Sequence, residues 1–508
     1  MVLALKAPRG WMAPLGTLTS LLAESVAQDF GERVLLLRFT EAGGGRPSPT
    51  PSPSPASWPP AVTAVSVPVS GDAALAVRAA LEARGGDHAV VFLDLSALGR
   101  TAFADVAPLV DRPVYLTREP RFEPVVAAHR DALVTEVLPG APPPRASGLG
   151  ALAGALLSGP PRALSGAPYS ATRSLPERCR VRLDLGALAA IPAPSLGDCH
   201  PELRASLSRW ARAVTHRRVG LALGGGGAWA LTHVALIEGL LARGVPVDLV
   251  AATGGGSLVG AYYCALGPSG LSRLVARGRA LERCLGAARV STAALEGLVA
   301  HDLGALQLEE LEVPLYPAAT NLSMRRREVL RRTSLAFGVR ASSSAPGVFP
   351  STVTRDGRYV EGSAGEGAPA TLAAAMGAAL VVAGPGLPPP SQRPAAFPPE
   401  SALGRLLLAS SPLARALDLL VSFDLLCHEA GDVPAGERTI VYRMAEHLAP
   451  LVGSLAFSRA AELIGAARAD PQLARTLDEA ERAYHQLLEP TGARPGGPVV
   501  RESRSMIQ

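Results

Sequence analysis

The chain has 508 residues, 48% apolar and 18% charged, with a net charge of +5 at neutral pH. That length is more than one core organises and predicts two or three domains, and the apolar content excludes a disordered or fibrous chain. The mild basic excess comes without any long basic run, which argues against a nucleic-acid partner.

Residues 1–139 alternate strand and helix. Val2–Leu5 reads as a strand, Pro8–Gly16 as a loop, Thr17–Phe30 as an amphipathic helix and Val34–Phe39 as a second strand, with further strands at Ala89–Leu95 and Val114–Thr117. This is the grammar of a small doubly wound α/β domain. The first loop resembles that of partition-type ATPases, but Gly10 to Thr17 has no lysine and contains Pro14, so the domain is read as a degenerate nucleotide-binding-like scaffold with no cofactor. Residues 43–60, rich in Gly, Pro and Ser, are expected to be a mobile excursion. Residues 140–200 read as a linker with a short helix near Leu149–Leu157, and Glu202–Thr215 as a helix with Trp210 on its apolar side.

The stretch that follows is the most informative. Val219–Leu223 is an apolar run ending at Gly224, Gly225, Gly226 and Gly227, and Ala228–Leu241 then carries apolar residues at helical spacing. The unit repeats: Val245–Ala252 is a second strand, Thr253–Gly256 a second glycine turn and Ser257–Ala265 a second helix. Two helix N-termini are therefore expected at one edge of a parallel sheet, where their N–H groups suit an oxyanion.

Beyond it, Leu271–Ala288 and Thr292–Ala300 read as helices and Leu315–Thr320 as a strand. Arg325-Arg326-Arg327 is read as a solvated turn, with an anionic lipid surface as the alternative. Gly384–Pro399 is a proline-rich linker, Leu403–His428 mostly helix, Thr439–Arg443 a closing strand, and Leu455–Ala469 and Pro471–Leu488 terminal helices before a polar tail from Pro490. The expected domains are thus 1–139, a linker over 140–200, a main domain over 201–445 with its core at about 217–385, and C-terminal helices and tail over 446–508.

The five cysteines, Cys179, Cys199, Cys264, Cys284 and Cys427, are dispersed and read as free thiols of a reducing compartment, with no metal site. Lys6, Pro8, Arg9 and Gly10 interrupt the N-terminus, so no signal peptide is expected. Residues 148–158 and 403–426 are too short or too charged to span a bilayer. The expected place is the cytoplasm, with any membrane contact peripheral to the inner face.

Gly224–Ala230, His233–Ile237, Val247–Ser257, Arg340–Pro350 and Glu361-Gly362-Ser363 together resemble, in order and spacing, the patatin-like phospholipases, and most closely the neuropathy target esterase-type branch. The resemblance covers about 200 residues and implies a patatin-like three-layer α/β fold with a parallel-rich sheet. It also implies a serine nucleophile, an aspartate base and a glycine-rich oxyanion loop. On that correspondence the serine falls on Gly254 and the aspartate on Glu361, Trp229 stands where the loop carries Arg or Lys, and Ala230 and Ala235 replace glycines. Glycine offers no nucleophile, so the catalytic pair is read as lost and no catalytic residue is assigned. Ser257 is expected to cap or pack its helix, and is the fallback nucleophile. His233 is expected to be structural. The resulting expectation is a catalytically impaired protein that binds acyl or phospholipid ligands or a protein partner. The alternatives are an active lysophospholipase or esterase using rearranged residues, and an interaction scaffold whose pocket Trp229 closes.

Overall fold

The computed structural model describes residues 1–8, 12–41, 59–98, 102–118, 131–139, 166–168, 177–184, 195–288, 292–346, 349–354, 357–362, 367–387, 438–453 and 455–490. The expected excursion over 43–60, the short helix near Leu149–Leu157, the linker over Gly384–Pro399, the helix over Leu403–His428 and the tail beyond Pro490 lie wholly or largely outside them. Two compact units emerge, one from Met1–Pro142, Pro176–Arg217 and Gln486–Gln508, the other from Pro143–Leu175 and Arg218–His485.

The first unit contains β1 (Val2–Lys6), α1 (Met12–Phe30), β2 (Val34–Glu41), β3 (Val62–Val69), α2 (Ala73–Arg84), β4 (Val90–Asp94), α3 (Ala102–Val106), β5 (Arg112–Thr117) and β6 (Leu133–Leu138). A short strand, β7 (Gly166–Pro168), belongs to the second unit, and β8 (Glu177–Arg182) and α4 (Pro201–Val214) complete the first. Its seven strands run in the order β3-β2-β4-β1-β5-β6-β8, all parallel. The pleat sends Leu3, Leu5, Val34 and Leu36 to a core shared with α1 and α4, and Val2, Ala4, Leu35 and Leu37 to a core shared with α2 and α3. Burial on both faces explains the unbroken apolar runs of β2 and β4.

Several boundaries differ from the expectation. Helix α1 begins at Met12, so the loop after β1 is shorter than Pro8–Gly16. The stretch 140–200 is not simply a linker, because β8 pairs with β6 and β7 with a strand of the second unit. The sequence of β8, Glu-Arg-Cys-Arg-Val-Arg, hid it: a charged edge strand lacks the apolar run of a central one. Its arginines are held by Glu136 of β6, at 2.7 Å from Arg178 and 2.8 Å from Arg180. Although burial opposes it, the two guanidinium groups keep the Glu136 carboxyl below its ordinary pKa. Helix α4 also falls in the first unit rather than opening the main domain. Its Trp210 is fully buried and its indole donates to Thr135 Oγ1 at 3.0 Å, which satisfies the one polar atom of that side chain.

The second unit opens with β9 (Val219–Leu223), a 3₁₀ turn at Gly227–Leu231, α5 (Thr232–Ala242), β10 (Leu249–Ala252) and α6 (Gly254–Leu266). There follow α7 (Pro268–Ala276), α8 (Gly278–Ala288), α9 (Ala293–Leu303), β11 (Leu315–Asn321), β12 (Arg326–Leu330), α10 (Leu335–Ser342), β13 (Thr352–Val353) and β14 (Arg358–Glu361). The unit closes with α11 (Ala370–Ala375), β15 (Leu380–Gly384), β16 (Thr439–Val441), α12 (Ala460–Arg468) and α13 (Pro471–Leu488). The sheet order is β13-β14-β11-β10-β9-β15-β16. Its β11-β10-β9-β15-β16 run is parallel, while β12 and β14 are antiparallel to β11, and β13 to β14.

Three layers follow from the alternation along these strands. Leu249, Ala251, Tyr316 and Ala318 meet α11 on one face. On the other face α6 presses onto Val250 and Leu315 at Gly260, where a Cβ would stand 2.9 Å from Leu315 Cδ1. The span expected as one helix over Leu271–Ala288 is broken at Arg277 between α7 and α8, and Gly278, the first residue of α8, packs on the Phe457 carbonyl too closely for any side chain.

Candidate functional site

Strands β9 and β10 lie side by side with Leu223 opposite Ala252, so their glycine turns emerge together at the C-terminal edge of the sheet. A Cβ on Gly254 would come within 2.7 Å of Gly225 Cα, and one on Gly256 would overlap the Leu223 carbonyl. The first turn of α6 therefore rests directly on the loop after β9, which only hydrogen-sized side chains allow. The φ of +118° at Gly226, +59° at Gly227 and +53° at Gly254 lie in the left-handed region.

A third segment completes the edge. The loop after β15, Gly384-Pro385-Gly386-Leu387, runs behind the first glycine turn: Gly224 N–H donates to the Gly384 carbonyl at 2.7 Å, and the Gly386 carbonyl faces Gly226. Sequence reading placed this loop in a linker; its Gly-Pro-Gly following an apolar run was the available signal. Among the described residues the N–H groups of Gly225 and Gly226 have no hydrogen-bond acceptor, so the turn presents free donors.

Glu361 ends β14 and enters this edge from the other side. Its backbone N–H donates to Ser344 O at 3.0 Å, and the next N–H, of Gly362, donates to Thr253 Oγ1 at 3.1 Å. Those bonds aim the side chain between the two glycine turns. Its Oε1 takes the space that a Cβ on either Gly225 or Gly254 would need. Burial pushes the carboxyl up to about 7, and no cation opposes the shift. The residue keeps some surface exposure, yet among the described residues no hydroxyl or thiol hydrogen-bonds its carboxyl.

The remaining predicted residues fall around this centre. Ser257 sits in the first turn of α6, fully buried, and accepts a hydrogen bond from Ser342 Oγ at 2.5 Å. Ser343 Oγ donates to the Gly254 carbonyl at 3.0 Å, and Ser344 Oγ pairs with Thr352 Oγ1 at 2.9 Å. This hydroxyl cluster clamps the second glycine turn, and it lies within the Arg340–Pro350 segment that carries part of the family resemblance. Trp229 is buried, and its indole donates to Ala449 O at 3.1 Å. His233 is fully buried in α5, its ring within about 3 Å of where a Cβ on Gly384 would stand, and both ring nitrogens lack hydrogen-bond partners in good geometry. Burial pushes its pKa down to about 4, with the Gly384 carbonyl opposing weakly. Among the described residues no His, Cys, Asp and Glu cluster is arranged to hold a metal, and no helix is long and apolar enough to cross a membrane.

Residues 221–374, which hold both glycine turns and Glu361, match the patatin-like phospholipase family. Over that stretch the chain is similar to the patatin-like phospholipases. Its curated relatives include lysophospholipase NTE1 of Mycosarcoma maydis, 29% identical over 46% of this chain and 13% of that protein. Patatin-like phospholipase domain-containing protein 6 of Homo sapiens is 32% identical over 35% of this chain and 14% of its own length. Neuropathy target esterase sws of Drosophila melanogaster is 27% identical over 36% and 14%. The chain thus spans about one seventh of the length of these relatives. Among solved structures, VipD from Legionella pneumophila matches with a TM-score of 0.25 and 13% identity, over 54% of this chain and 66% of that one. The architecture described above rests on strand order and register.

Proposed function

We propose that this patatin-like domain is impaired as a hydrolase and works by binding acyl or phospholipid ligands, or a protein partner, in the cytoplasm or at the inner face of a membrane. One observation carries the reading: the Glu361 carboxyl occupies the volume in which a side chain on Gly254 would begin. The position that the family gives to its nucleophile is then filled by an acid, while the free N–H groups of Gly225 and Gly226 remain as donors for a ligand's carbonyl or carboxylate oxygen. Loss of a catalytic serine costs several orders of magnitude in rate even where the oxyanion donors survive. The expected results are no labelling by a fluorophosphonate probe, no fatty-acid release from lysophospholipid above background, and saturable binding of a fluorescent fatty acid that Gly225→Val weakens. Robust labelling that Ser257→Ala abolishes would overturn the reading.

A second reading, an active esterase with rearranged residues, is favoured by the same carboxyl. With a pKa of about 7, Glu361 is half ionised at neutral pH and matched to general-base work. Water would add to an ester carbonyl held by the glycine N–H groups, its proton passing to Glu361 and then to the departing alkoxide. This predicts turnover that rises with pH through about 7 and is abolished by Glu361→Gln. A flat background at every pH leaves the binding role.

A further inference from the structure

Four large apolar side chains are exposed among the described residues, and three of them, Leu322 (43%), Met324 (55%) and Val353 (67%), belong to two neighbouring hairpins of one sheet. Leu322 and Met324 form the tip between β11 and β12, and Val353 lies on β13. Leu322 N–H donates to Arg358 O at 2.8 Å, Arg358 N–H donates to Ser323 Oγ at 3.3 Å, and Val353 pairs with Arg358 across β13 and β14. The two hairpins therefore present one continuous surface. Exposed single hydrophobics need no explanation, but a cluster of three does.

Among the described residues of this surface the exposed charges are basic. Arg325 and Arg358 are exposed, and Arg326 is exposed beside its strand neighbour Glu328, which it meets at 2.8 Å. Arg325 holds a φ of +50°, a conformation uncommon for a residue with a side chain, so the tip is a tight turn that carries its apolar and basic groups on a rigid base. Asn321 reinforces it by accepting from Ser323 N–H and Met324 N–H, both at 3.1 Å.

Register then fixes where this surface stands. Ala252, the last residue of β10, is opposite Pro317 of β11, so Ala318–Asn321 continue past the end of β10 on the edge where the glycine turns emerge. Strand β14 runs back along the same extension, with Glu361 opposite Ala319 and Tyr359 opposite Asn321. The tip thus overhangs the site by three residues between Arg358 and Glu361, about 10 Å.

We propose that the β11–β12 tip and the adjoining strands β13 and β14, through Leu322, Met324, Val353, Arg325 and Arg358, dock this unit on the surface of an anionic phospholipid bilayer with the glycine turns facing the lipid. Apolar side chains would enter the headgroup region while the arginines pair with lipid phosphates and carboxylates, the combination that suits an anionic interface rather than an apolar protein groove. The inference rests on the lipid-ligand reading for its purpose, but not for its test.

The test is co-flotation of the full chain with vesicles of phosphatidylcholine alone or with added phosphatidylserine. Binding is expected to need phosphatidylserine, to fall at least about tenfold in Arg325→Glu with Arg358→Glu, and to fall on the same vesicles in Leu322→Ser, Met324→Ser and Val353→Ser combined. Inorganic phosphate at the lipid's concentration should not compete, since one phosphate supplies no apolar layer. Each variant's thermal midpoint should stay within a few degrees of the parent's. Absence of flotation by the parent chain, equal flotation on neutral vesicles, or wild-type flotation by both folded variants overturns the proposal, and so does capture by a protein in place of vesicles. Fluorescent fatty acid below its micelle-forming concentration reports the glycine-turn site separately: failure there with intact flotation would sink the ligand reading and leave the docking surface standing.

Discussion

At the scale of single residues, Glu361 and Gly254 constrain each other. A side chain at 254 meets the Glu361 carboxyl and also inherits a φ of +53°, two penalties at one position. Gly254→Ser alone is therefore expected to lower stability by about 1–3 kcal/mol, read as a shift in the denaturation midpoint. Adding Glu361→Asp, one methylene shorter, should recover part of that loss. The carboxyl also makes a pH prediction. Its folded pKa of about 7 stands above the unfolded value of 4.5, so its protonated form is the one that suits the fold. The associated stability is fully present below pH 4.5 and is lost as pH rises to about 7, on the order of 3 kcal/mol in all. Glu361→Gln should match the parent near pH 4.5 and exceed it at pH 8, as denaturant titration at the two pH values would reveal.

At the scale of elements, the glycines of α6 and α9 differ in kind. A Cβ at Gly256 would overlap the carbonyls of Leu223 and Gly224, whereas one at Gly297, within α9, meets nothing within 4 Å. Gly256→Ala should cost about 2 kcal/mol or more because the helix must lift off β9. Gly297→Ala should instead stabilise by roughly 0.5–1 kcal/mol through helix propensity and a less flexible unfolded chain. Parallel thermal melts of the two variants decide both. The same contrast governs what sequence could reveal. β9, β10 and their glycine turns were legible because a strand buried on both faces must be an apolar run and a crowded turn must be glycine. β3, β8 and β12 were not, since β3 carries Pro68 and buries little of its length, while β8 and β12 carry arginines that find their carboxylates only in space, as Arg326 finds Glu328.

Across the second unit as a whole, His233 and Glu361 act in opposite directions. The imidazole is neutral in the fold, with a pKa of about 4 against 6.5 in the unfolded chain, so its contribution is lost as pH falls from 6.5 to 4. Glu361 loses its own as pH rises over 4.5 to 7. The two slopes nearly cancel, and the unit's stability is expected to stay almost flat between pH 4.5 and 6.5, apart from other groups. Glu361→Gln should expose a rise with pH across that window, which guanidinium titrations at closely spaced pH values would detect. The candidate site was legible in its parts but not in its assembly. Glycine turns, Ser342–Ser344 and Glu361 are spread along the chain from Gly224 to Glu361, and only the register of β10, β11 and β14 brings them to one edge.

The carboxyl seated between the glycine turns also bears on descent. If a serine is to stand at position 254, position 361 must change as well, because the longer acid and any side chain at 254 compete for one volume. Each change made first is a loss: serine beside glutamate is crowded, and aspartate beside glycine leaves a gap with nothing to activate. Either order of the two changes passes through one unfavourable intermediate, which is reciprocal sign epistasis between positions 254 and 361.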